Sequence, residues 1–152
     1  KDFDHYSQTQ RHAAVLETAE QEDLDVEKLD LVPTSEHAVW DGIKERLAPD
    51  TMILAQTVYH AQLFSNHMAA RGLTAPRDFG LACCENSQET DRLWPELSRV
   101  SFDRFDMGRQ AAQMLKDLLD DDDLPVQSRL MTGHWINGTT TNLMTTGDRS
   151  HG

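Results

Sequence analysis

The sequence predicts an α/β domain built on a mostly parallel sheet flanked by helices. Two observations carry that prediction. Short continuous apolar runs, Met52-Ile53-Leu54-Ala55 and Phe79 to Cys84, have the length of buried strands rather than helices. Between such runs lie stretches with apolar residues at helical spacing, long enough to serve as crossover connections between parallel strands.

Taken in order, Ala13, Ala14, Leu16 and Ala19 form a helical stripe over about Thr9 to Gln21, where alanine also favours helix. A polar connection leads to a brief strand, Leu29 to Val32, stopped by Pro33. Thr34-Ser35-Glu36 then offers an N-cap to a helix with Val39, Trp40, Ile43 and Leu47 on one side, ended by Pro49-Asp50. After the Met52 strand, a helix runs from about Val58 to Arg71 and stops at Gly72. A turn at Ala75 to Asp78 precedes the Phe79 strand. Glu85 to Trp94 is polar, with room for one helical turn, and is closed by Pro95. A strand over Leu97 to Phe102, a helix over Phe105 to Leu119, an acidic loop at Asp120 to Asp123 and a last strand near Arg129 to Trp135 complete the reading. Residues 1–138 form the domain, and 139–152, with three consecutive threonines and little that is apolar, read as a flexible tail.

A chain of 152 residues can bury one core and is too short for two domains. Its 26 acidic side chains against 14 Lys and Arg give a formal charge of −12. Such a surface repels phosphate backbones, so no residue of this chain is assigned to DNA. No run approaches the apolar length of a membrane span, and the polar stretch Lys1 to Gln10 has no secretory-signal pattern. Cys83 and Cys84 are adjacent, and a disulfide between neighbours would strain the peptide joining them. A reduced, cytoplasmic setting is therefore expected.

In parallel sheets, ligands sit beyond the C-terminal ends of the strands. That rule directs attention to Gln56-Thr57, Glu85-Asn86 and Asp103-Arg104. No phosphate-binding glycine loop, nucleophile elbow or zinc helix motif is present, so neither catalysis nor a cofactor is expected. His60 and His67 stand seven positions apart on one helix, roughly 10 Å along its axis and too far to share a metal ion. His5 and His12 have the same spacing. Trp94 and Trp135 are candidates for a sugar-stacking face, with core packing as the competing reading.

Several segments, in order, resemble the effector-binding domain of LacI/GalR-family transcriptional regulators. Ser7 to Ala14 is similar to that family's helix opening on serine and arginine, with Ala14 in place of a glycine and Val15 in place of an aromatic. Thr51 to Gly72 resembles its strand-and-helix segment, and Leu73-Thr74-Ala75-Pro76-Arg77-Asp78 its proline turn. Leu81 to Asn86 resembles the next strand, and Leu97 to Ala112 the hinge and long helix containing Gly108-Arg109. The resemblance runs from Ser7 to about Thr140. The departures fall where ligands bind. Thr57-Val58 replaces an Asn-Asp pair, and Cys84-Glu85 replaces an aromatic-Asp pair.

The resemblance implies a type I periplasmic-binding-protein fold, of which this chain is mainly the C-terminal subdomain. It implies a small-molecule effector, a sugar or sugar derivative, that alters operator affinity. Arg11, Thr57 and Glu85 are the ligand-binding candidates it selects. Arginine supplies a planar fork of donors, and glutamate accepts hydroxyls. The competing readings are an exposed helix arginine, a helix N-cap threonine and a loop or helix-capping carboxylate. It further implies a homodimer, with Phe64 and Met68 on the Val58 helix as contributors unless they pack in the core. Operator DNA would be met only through an N-terminal helix-turn-helix preceding the matched part. The alternatives are a periplasmic solute-binding protein serving a transporter and a small α/β enzyme.

Overall fold

A computed structural model describes residues 6–32, 35–121, 123–125 and 127–141. The elements run α1 (Tyr6–Gln21), α2 (His37–Lys44), β1 (Met52–Ala55), α3 (Val58–Ala69), β2 (Gly80–Cys83), α4 (Gln88–Leu93), β3 (Ser98–Ser101), α5 (Arg104–Asp120) and β4 (His134–Ile136). The four strands form one sheet in the order β1-β2-β3-β4. The first three are parallel, with Met52 opposite Gly80 and Ala82 opposite Ser98, and β4 returns antiparallel to β3. Each parallel step crosses through a helix, as the geometry of parallel pairing requires. This is the α/β class that the apolar runs predict.

The core forms where α2 and α3 pack near β2. Trp40 and Ile43 from α2 meet Ala61, Phe64 and Met68 from α3, with Phe79, Leu81, Cys83 and Leu97 beneath. Phe64 stands edge-on to Trp40 and Phe79, ring centres 6.3 and 5.4 Å apart. Trp40 stacks on His67 at 4.0 Å. Arg71 ties the two helices together, donating to Asp41 at 2.7 Å and to the His37 carbonyl at 3.2 Å. Phe64 and Met68 are therefore core residues and cannot be the dimer contacts the family resemblance offered, because their face of α3 is turned inward.

Four expectations are corrected. The Met52 run is not buried throughout: Met52 and Leu54 are 48% and 42% exposed. As the first strand in the sheet order, β1 buries one face, whereas β2, between two parallel neighbours, is buried at every position. Leu29 to Val32 forms no strand. Leu29 and Leu31 satisfy their alternation by packing on the core, without a ladder partner. The last strand is shorter and later than predicted, since Leu130 is fully exposed and pairing begins only at His134. The Ser35 hydroxyl accepts from Val32 N–H at 3.1 Å, leaving Glu36 at the start of α2 without a side-chain cap. Pro33 and Thr34 lie outside the described residues.

Thr139 to Thr141, placed by composition in a tail, are docked on the sheet. The Thr140 hydroxyl accepts from Ser98 N–H at 2.9 Å and donates to the Leu81 carbonyl at 2.7 Å. Its own carbonyl accepts from Leu81 N–H, and Thr139 N–H donates to Glu96. This segment bridges β2 and β3 at the end of the sheet where their own register stops. Gly138 leads into it: a Cβ there would stand 2.1 Å from the Glu96 carbonyl oxygen, so only glycine permits the approach. Residues 142–152 lie outside the described residues.

α5 contrasts with the core helices. None of its residues is buried, and Phe105, Leu115 and Leu119 are 59–84% exposed. Among the described residues, no helix is long and apolar enough to cross a membrane.

Candidate functional site

The three parallel strands end side by side, and the residues following them converge. A cavity of about 340 Å³ lies there. Cys84, Glu85 and Asn86 reach it from the end of β2 and Phe102 from the end of β3. α1 contributes Arg11, and α5 contributes Arg104 and Met107. The strand-end rule thus located Glu85, Asn86 and Arg104 without any family knowledge.

Arg11 is half-buried, and its Nη1 donates to the Gln56 carbonyl at 2.8 Å. That bond anchors α1 to the residue after β1. Glu85 is also tethered: its Oε2 accepts from Val58 N–H at 3.3 Å. A carboxylate at the first N–H of α3 is favoured by the partial positive charge of a helix N-terminus. The other carboxylate oxygen lies 3.9 Å from Arg104 Nη2. Arg11 and Glu85 therefore share one cavity, although 74 positions separate them in the chain.

Thr57 is not among the side chains lining the cavity. Its hydroxyl accepts from His60 N–H at 3.3 Å and lies 2.9 Å from His60 Nδ1, which makes it the N-cap of α3. Thr57 thus holds the helix end that in turn holds Glu85.

Below the cavity lies a polar cluster that the sequence did not announce. Arg99, 3% exposed, donates from Nε to Asn86 Oδ1 at 2.8 Å and from Nη1 to the Leu97 carbonyl at 2.6 Å. Its Nη2 is ion-paired with Asp91. The Arg99 hydrogen bond holds the Asp91 carboxyl below the usual carboxylate range. Asn86 Nδ2 donates to the Ser101 hydroxyl at 3.0 Å, and the Asn86 backbone carbonyl accepts from Arg104 at 2.6 Å. The strand-end rule had pointed to Asn86 alone of this cluster, and Arg99 itself shows in the sequence only as an arginine inside a short strand.

Phe102 and Met107, 39% and 43% exposed, give the cavity an apolar wall that sequence reasoning also missed. Neither tryptophan candidate lines it: Trp94 packs against the core and Trp135 stands half-exposed on β4. Both cysteines are free. Burial pushes the Cys83 thiol up to about 12 and raises Cys84 in the same direction, so neither is a thiolate nucleophile near neutral pH. Among the described residues, no group of three or more His, Cys, Asp and Glu is arranged to hold a metal ion.

A larger groove of about 390 Å³ runs between residues 27–31 and α2. It is walled by Leu29, Leu31 and Val39 and by the Glu27–Arg46 ion pair, whose charges satisfy each other. The smaller cavity has the convergent polar groups that a ligand site needs, and size alone does not outweigh them.

Residues 1–141 match the family model of the periplasmic binding protein-like domain. The chain belongs to that family. No curated protein matches it in sequence. Among solved structures, it is similar to a LacI family transcriptional regulator from Bifidobacterium animalis, at 20% identity and a TM-score of 0.69, covering 86% of this chain and 49% of that one. A periplasmic binding protein/LacI transcriptional regulator from Alkaliphilus metalliredigens, complexed with D-xylulofuranose, gives 16% identity and a TM-score of 0.70, with 86% and 50% covered. The transcription regulator CcpA of Lactococcus lactis gives 19% and 0.66, with 88% and 50% covered. The chain spans about half the length of these structures. At such identities the likeness establishes the fold. The periplasmic binding protein-like fold is the one the LacI/GalR resemblance implied.

Proposed function

We propose that this chain is the effector-sensing part of a LacI-type transcriptional regulator. In this reading it binds a sugar or related small polar molecule in the strand-end cavity and couples binding to operator affinity. The observation that carries it is the meeting of Arg11 and Glu85 in one cavity with an apolar wall. Arg11 donates and Glu85 accepts, so a polyol finds both hydrogen-bond senses there. Phe102 adds apolar surface, which suits the C–H side of a sugar ring. A donor and an acceptor set in this way suit binding and orienting a ligand. Arg11 comes from α1 and Met107 from α5, so an occupied cavity would bias the positions of two helices relative to the sheet. Such a bias becomes regulation when ligand and operator prefer different states of the whole protein, here taken as a homodimer.

The test is thermal unfolding of the full-length protein against a panel of sugars, sugar acids and sugar phosphates. A ligand at about 100 times its Kd adds about 2.7 kcal/mol of stability. Loss of that shift in both Arg11→Ala and Glu85→Ala supports the reading. A shift that survives both variants puts the binding elsewhere. Recovery of the ligand unchanged after long incubation separates sensing from turnover. A gel shift with the protein's own upstream DNA, with and without the ligand, tests the coupling.

A further inference from the structure

The charge of the cavity runs against the charge of the chain. A protein of formal charge −12 presents two arginines there, Arg11 and Arg104, against one carboxylate, Glu85. Glu85 is already partly compensated, by Val58 N–H at 3.3 Å and by Arg104 at 3.9 Å. Of the carboxylates in the neighbouring elements, Asp91 pairs with Arg99 and Asp106 with Arg109, whereas Asp103 accepts from Asp106 N–H as the cap of α5 and keeps its charge.

Arg11 has no such partner. Among the described residues its guanidinium donates only to the Gln56 carbonyl, and no carboxylate lies within ion-pair distance of it. A carbonyl oxygen accepts a hydrogen bond but does not neutralise a charge. A half-buried guanidinium has lost part of its hydration, and an anion compensates it more than a neutral carbonyl does. Arg104 likewise spends its short bond, 2.6 Å, on the Asn86 carbonyl. Guanidiniums match carboxylate and phosphate oxygens in geometry as well as charge. Glu85, in the same cavity, repels a bare anion but accepts hydroxyls.

We propose that the cavity takes a polyhydroxylated anion, a sugar acid or a sugar phosphate, held by the guanidiniums of Arg11 and Arg104, with Arg104 setting the preference for charge. The inference rests on the cavity being the effector site.

Isothermal titration of the full-length protein tests it with D-galactose and D-glucose as neutral probes, D-galacturonate and D-gluconate as acids, and D-glucose 6-phosphate. Inorganic phosphate serves as the bare anion. At least one anionic sugar is expected to bind more tightly than its neutral counterpart, and inorganic phosphate weakly. The better of the acid and phosphate arms identifies the anionic group. Losing one charge-assisted contact in Arg104→Gln is expected to weaken the anionic sugar by about 10- to 100-fold. The same variant should weaken a neutral sugar by a clearly smaller factor than the anionic one. Tight binding of a neutral sugar but not its acid or phosphate, abolished by Arg11→Ala and Glu85→Ala, overturns the anion inference and leaves the site standing. Equal loss of neutral and anionic sugars in Arg104→Gln reduces Arg104 to a structural role and overturns its part. Failure of every probe to bind, or binding indifferent to Arg11→Ala and Glu85→Ala, overturns the site and the inference together.

Discussion

Asn86 stands between two arginines that the fold treats in opposite ways. Its side-chain oxygen accepts from Arg99, which is buried, ion-paired with Asp91 and bonded to the Leu97 carbonyl. Its backbone oxygen accepts from Arg104, which is largely exposed, 3.9 Å from a carboxylate and facing a cavity. The chemistry of the two clusters is the same: guanidinium, carboxylate and amide. What differs is completion. Arg99 is satisfied by the protein itself, and such a cluster holds β3 and the loop before α4 in one arrangement. Arg11 has a backbone carbonyl as its partner and Arg104 only a long ion pair, 3.9 Å from Glu85, so both keep donors that suit groups meeting something from outside.

The widest gap between the clusters should be in stability. Replacing Arg99 by Met strands Asp91, Asn86 and the Leu97 carbonyl, and is expected to cost about 3 kcal/mol in urea unfolding. A loss below about 0.5 kcal/mol would mean the buried cluster does not hold the fold. Next comes Gly138→Ala, which forces a Cβ against the Glu96 carbonyl and displaces the threonines bridging β2 and β3. It should cost about 2 kcal/mol by the same assay, as overpacking typically does.

The cavity arginine should behave in reverse. Arg104→Ala is expected to change stability by less than about 0.5 kcal/mol, as for an exposed surface site, while lowering ligand affinity. An Arg104 variant as destabilised as Arg99→Met would erase the distinction.

A smaller effect separates the two clusters by pH. The Asp91 carboxyl titrates below its ordinary value because its bond to Arg99 favours the ionised form. Its contribution is therefore complete above the ordinary carboxylate range and is lost as pH falls through the depressed folded value. Asp91→Asn should flatten that acid limb of a stability–pH curve. The smallest expected effect is on thiol reactivity. Iodoacetamide at neutral pH should label Cys84 slowly and Cys83 only on unfolding, and an occupied cavity should slow Cys84 further.

Much of the scaffold was legible because it rests on local pattern. The α3 helix, its stop at Gly72 with φ of 81°, and the strands β1 and β2 follow from apolar runs and turn residues a few positions apart, and β3 from a short alternating pattern. Glu85, Asn86 and Arg104 were legible through topology, since parallel strands bring their C-terminal ends together whatever the family. Arg11 was different. Nothing local distinguishes it from another helix arginine, and only the family resemblance singled it out. Thr57 was legible as a cap, by the N-cap preference, more securely than as a ligand contact.

The chain by itself determined the α/β class, the order of its elements and the acidic surface, because periodicity, turn chemistry and charge are properties of short stretches. Tertiary structure decided the rest. It turned Phe64 and Met68 inward, left Leu29 to Val32 without a ladder, docked Thr139 to Thr141 on the sheet and buried Arg99 beneath the cavity. Each outcome depends on a partner outside the element itself, from Asn86 for Arg99, 13 positions earlier, to Leu81 for Thr140, 59 positions earlier. A side chain's role is set by whether such a partner arrives to satisfy it, and sequence spacing carries no record of that.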